Sequence, residues 1–134
     1  MSDSANKFGF WIRLAGVLNV VLGIIHCLAA PYVFSTEFVQ VTPDERVTAI
    51  WAFLATGGAV ILSAAVLLNA SAAIRRGDAS LWSLAVGASL FLFAISFSGV
   101  LLFPENPFTF VGSAMALAGF VPLLLYRRSP AFGL

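Results

Sequence analysis

The chain has 134 residues, of which 60% are hydrophobic and only 10% charged. Soluble domains run nearer 45–50% apolar and about 25% charged, and one small core would not need so much apolar sequence. Seven Lys and Arg against six Asp and Glu leave +1, too little for an electrostatic nucleic-acid binder. One Cys and one His exclude an internal disulfide and fall short of four zinc ligands.

A helix that crosses a bilayer needs about 20 predominantly apolar residues. Four stretches qualify, at about 8–30, 47–73, 81–103 and 108–126. They predict an all-α, polytopic membrane protein: one membrane domain over 1–134, built as an antiparallel bundle of four transmembrane helices. In the first stretch the only charge is Arg13, close enough to the end to snorkel to the surface. Leu28-Ala29-Ala30 before Pro31 lacks the small residue at −3 that a signal-peptide cut requires, so this span is expected to stay. An outer loop is expected over 31–46. Within it Glu37-Phe38-Val39-Gln40-Val41 alternates in a strand-like way, as a solvated connector or a lid over the bundle mouth.

Local chemistry marks the remaining boundaries. Thr42-Pro43-Asp44-Glu45 reads as a capping box with proline at the first helical position. Arg75-Arg76-Gly77 puts cations on a helix C-terminus and a glycine where a left-handed cap is wanted. Asp78 or Ser80 can then cap the third helix. Pro104 ends that helix, and Asn106-Pro107 opens the fourth. Pro122, inside the fourth span, is expected to bend it.

Lys7, Arg13, Arg75, Arg76, Arg127 and Arg128 fall on one side of these spans, and Arg46 alone on the other. The positive-inside rule then places both termini in the cytoplasm, in a bacterial inner (plasma) membrane. Trp11, Trp82 and Tyr126 are the expected inner interface anchors, and Tyr32 and Trp51 the outer ones.

Helices in lipid pack through small residues and polar contacts. Gly16, Asn19, Gly23, His26 and Ala30 repeat at intervals of three and four, which puts them on one face of the first helix. Val17, Val21 and Leu28 lie opposite and suit lipid. The second helix offers Ala52, Thr56, Ala59 and Ser63 beside Gly57-Gly58. The third offers Ser83, Gly87, Ala94 and Ser98. The fourth offers Gly112 with Ala116 and Ala114 with Ala118. Asn19, near the midplane, is expected to bond to another helix.

No Asp, Glu or Lys lies inside a span, which counts against proton relays and cation antiport. His26 lies about 9 Å to the outer side of the midplane, and Thr56, Ser96, Ser98 and Ser113 fall at similar depth. With Cys27 beside His26 and Asn19 on the same stripe, these residues form the candidate ligand-binding cluster. Catalytic motifs are missing: the sequence has no GxSxG, HExxH, CxxC or phosphate-binding glycine loop. No metal site is expected. No cofactor is expected either, the exception being haem ligated through His26, which would need two copies of the chain.

Four spans with a His near the outer end of the first resemble the layout of short four-span bacterial membrane proteins, including the DoxX-like kind. That resemblance implies the fold and carries no residue role. The function expected is non-enzymatic, an accessory subunit or a bundle binding a small hydrophobic ligand near His26. A homo-oligomeric transporter or channel is the alternative, and a haem- or quinone-linked redox protein comes third. The partners expected are the lipid bilayer and further copies or a larger membrane complex, not nucleic acid.

Overall fold

A computed structural model describes residues 3–36, 40–102 and 104–128. Four helices account for nearly all of them: α1 (Asp3–Thr36), α2 (Pro43–Arg75), α3 (Trp82–Leu102) and α4 (Pro107–Arg127). Among the described residues there is no strand. Glu37, Phe38 and Val39 of the strand-like stretch, and Phe103 at the end of the third apolar segment, lie outside the described residues. All four helices are long and apolar enough to cross a membrane. Only 22% of the most apolar window of each is buried, so the remaining apolar surface requires a hydrocarbon solvent.

The helix ends follow from the sequence signals. Thr42 accepts from the Glu45 amide while the Glu45 carboxylate accepts from the Thr42 amide at 3.0 Å, and Pro43 occupies the first turn. Asn106 caps α4 by accepting from the Phe108 amide at 3.0 Å. Gly77, at φ +80°, is the one described residue with positive φ, and it turns the chain after α2. Asp78 accepts from the Ser80 amide at 2.8 Å, so it braces the turn before α3. Pro31 does not end α1. The helix continues to Thr36, well into the expected loop, at the cost of the amide that would have bonded the Cys27 carbonyl.

Packing of α1 on α2 rests on a seven-residue repeat. A β-carbon on Gly9, Gly16 or Gly23 would collide with Arg75, Leu68 or Ile61, and would lie 3.3, 3.3 or 3.1 Å from the carbonyls of Ser71, Ala64 and Gly57. The glycines of α1 are therefore holes, and long α2 side chains one turn apart from those carbonyls fill them. The Ser71 hydroxyl adds a buried bond to the Gly9 carbonyl at 2.8 Å. Gly16, Asn19, Gly23 and Ala30 are buried and His26 half-buried, whereas Val17, Val21 and Leu28 are exposed, as the stripe on α1 requires.

The other three faces need correction or completion. On α2 the buried stripe is Gly57, Val60, Ala64, Leu67, Ser71 and Ile74. Ala52, Thr56, Ala59 and Ser63 are one position off it, and none is buried. The expected α3 stripe of Ser83, Gly87, Ala94 and Ser98 is exposed throughout, and Ala85, Ser89 and Leu92 face inward instead. On α4, Gly112 and Ala116 are buried and Ala114 and Ala118 exposed. Choosing stripes by residue size alone fails here, because buried faces mix small residues with the large ones that fill them. Tyr126 is likewise no interface anchor: it is fully buried, edge-on to Phe8 with centroids 6.1 Å apart.

Between α1 and α4, Phe8 meets Tyr126, Ala15 meets Gly119 and Leu22 meets Gly112. Each seven-residue step up α1 is a seven-residue step down α4, which sets Pro107, the start of α4, level with Cys27. The last nine residues of α1 and the facing part of α2 therefore overhang the shorter pair by about 13 Å.

Candidate functional site

Where the overhang begins, His26 reaches across to α2. Its Nε2–H donates to the Phe53 carbonyl at 3.1 Å, which fixes the tautomer because a carbonyl can only accept. The ring also stacks on Phe53, with centroids 3.8 Å apart and planes 14° apart. Phe34 closes the other side edge-on to Phe53 at 5.6 Å. The Phe34 carbonyl in turn accepts from Arg46 Nη2 at 2.8 Å. Cys27 Sγ lies 4.0 Å from the Leu54 carbonyl and packs against Gly57, where a β-carbon would strike it. A lone imidazole, two aromatic rings and a guanidinium thus clamp α1 to α2.

The remaining candidate residues do not converge on this clamp through their hydrogen bonds. Asn19 is buried, and its amide donates to the Ala15 carbonyl of its own helix at 2.9 Å, not to a neighbouring helix. Thr56 donates to Ala52, Ser98 to Ile95 and Ser113 to Thr109, again each within its own helix. Ser96 is half-buried, and its hydroxyl occupies the space that a Gly112 side chain would take. Of the seven, His26 and Cys27 hydrogen-bond to another helix, and Ser96 packs its hydroxyl against α4 at Gly112. Hydroxyls in helices readily return to a carbonyl three or four residues back, which depth arithmetic cannot anticipate.

Phe34, Phe53 and Arg46 join the clamp without a polar or small-residue pattern to announce them. A signal for Phe53 existed, because it extends the true α2 stripe, four residues before Gly57. Nothing local in the sequence marks Arg46 as a partner for Phe34.

Metal chemistry has little to work with. Among the described residues no group of three or more His, Cys, Asp or Glu stands together. His26 has already committed Nε2, so only Nδ1 could ligate a haem iron.

Two hollows lie on the flanks of the bundle. One, of about 370 Å³, lies between α2 and α3 and is lined by Leu62, Ser63, Ser83, Gly87 and Phe91. The other, of about 620 Å³, runs between α1 and α4 past Lys7, Trp11, Ala114, Ala118, Pro122 and Leu125. Exposed walls at Leu62, Trp11 and Leu125 open both hollows sideways. Compared with known protein families, curated proteins and solved structures, the chain matches none.

Proposed function

We propose that this is a non-enzymatic, small multi-pass membrane protein that binds a hydrophobic ligand on its flank, the His26 cluster holding the bundle together. The observation that carries this reading is the apolar groove between α1 and α4, large enough for a small amphiphile and open to the bilayer. His26 supports it from the other side, since its donor is already used on a backbone carbonyl. The residue pairings between helices support an antiparallel arrangement, and the six basic residues at one end support both termini in the cytoplasm of a bacterial inner membrane.

Native mass spectrometry of protein released gently from membranes tests the reading. A retained amphiphile is expected, and Ala118→Phe, which fills the groove at an exposed position, is expected to release it. A chain that emerges bare from every mild detergent counts against ligand binding. A Soret band would favour the haem reading instead.

A second reading, as an accessory subunit or homo-oligomer, draws on α3. Its exposed Ser83, Gly87, Ala94 and Ser98 form the kind of small-residue face that lets another helix approach closely. Cross-linking through cysteines placed at Ser83 and Ser98 would report such a neighbour. Solute flux through vesicles containing the protein would point to the transporter alternative.

A further inference from the structure

The groove between α1 and α4 has two unlike ends. Lys7 stands at one end beside Leu125, exposed, one turn before the indole of Trp11. From there the wall of α4 runs through Pro122 and Ala118 to Ala114 without a charge. The eleven residue steps from Leu125 to Ala114 cover about 16 Å at helical rise, which matches half of a hydrocarbon core about 30 Å thick. Ala114 and Ala118 leave the floor shallow, and Leu117 and Val121 stand exposed along it. The charged end belongs to the basic side of the molecule. By sequence that side carries Lys7, Arg13, Arg75, Arg76, Arg127 and Arg128 against two acids, Asp3 and Asp78.

We infer that this groove is a site for one anionic phospholipid, its phosphate at Lys7 and one acyl chain laid along α4 as far as Ala114. The three parts of the groove fit the three parts of such a molecule. A lysine near an anionic membrane surface attracts the headgroup, and the indole takes the interfacial level where amphipathic rings settle. The apolar wall has the length of a single leaflet. The inference deepens the ligand-binding reading above and rests on it.

The test uses the full chain reconstituted in vesicles of equal parts phosphatidylglycerol and phosphatidylcholine, then released for native mass spectrometry. One phosphatidylglycerol per chain is expected, preferred over phosphatidylcholine by about fivefold, the factor one juxtamembrane lysine contributes. Lys7→Gln is expected to bring the preference to about one while lipid is still retained. Ala118→Phe is expected to abolish retention of either lipid, with helix content unchanged by circular dichroism. Arg76→Gln, at the same end but outside the groove, is expected to leave the preference intact. Equal retention of both lipids by the parent chain overturns the headgroup assignment and leaves the ligand-binding reading standing. Retention of neither overturns both. An Arg76→Gln effect as large as that of Lys7→Gln shows diffuse surface charge and overturns the site, as does a second copy of the chain covering the groove.

Discussion

Among the described residues, Ser89 is the buried polar side chain whose hydroxyl oxygen finds no partner, and it sits at the crossing of α3 and α4 beside Gly119. An unpaired buried hydroxyl costs free energy that alanine does not, so Ser89→Ala is expected to be neutral or stabilising by up to about 1 kcal/mol. Reversible unfolding in mixed micelles would read the change, and a clear loss of stability would mean the hydroxyl has a partner. Asp78 behaves in the opposite way. The Ser80 amide and hydroxyl, with Arg76 nearby, hold its carboxyl below the ordinary aspartate value. The folded form therefore releases its proton more readily than the unfolded chain. Its contribution to the turn is full above the unfolded value near pH 4 and fades as the pH falls through the lower folded value. Asp78→Asn should lower thermal stability at pH 6, and the gap from the parent chain should narrow as the pH falls below the unfolded value. A gap that persists in acid would place the effect elsewhere.

At the scale of helices, two adjacent glycines on α2 make a sharp contrast. A β-carbon on Gly57 would strike Cys27 Sγ, while one on Gly58 would meet nothing within 4 Å. Gly57→Ala should therefore cost about 1–3 kcal/mol through overpacking of the α1–α2 seam. Gly58→Ala should cost nothing and can gain up to about 1 kcal/mol from helix propensity. Thermal unfolding of the two variants side by side checks both, and equal effects would mean the seam is misplaced. The same pair shows what was legible in the sequence. Helix ends were, because Thr42, Asn106 and Gly77 act on backbone groups within a few residues. The α1 stripe was, because its glycines and polar residues repeat on one face. The faces of α2 and α3 were not. Which residue fills a glycine hole depends on the partner's register, and only the assembled seam sets Leu68 against Gly16 or Ile61 against Gly23. The bonds of the candidate hydroxyls were not legible for a related reason: Thr56, Ser98 and Ser113 are expected at the depth of His26, but each bonds to a carbonyl of its own helix. Phe53, which does bond His26, is apolar by side chain and acts through its backbone carbonyl.

For the molecule as a whole, accessible surface is 8049 Å², against about 6,800 Å² for a compact soluble protein of this mass. Large apolar side chains face outward, with Leu28 at 74% and Leu62 at 71% exposure. Topology can be checked directly in a chain lacking Cys27. A cysteine at Asp78 should resist a membrane-impermeant maleimide in intact cells, and one at Gln40 should react. The reverse pattern would invert the proposed orientation. Unequal helix lengths carry a further consequence. The apolar stretches of α1 and α2, 8–34 and 47–73, are about 40 Å long, whereas all of α3 or α4 spans about 32 Å. A bilayer meeting this protein finds a tall wall on one side and a short one on the other. Lipids must stretch against the first, relax against the second, or let the bundle lean. Each response costs a fraction of a kcal/mol per ångström of mismatch, so the protein is shaped as a wedge that should settle where membrane thickness changes.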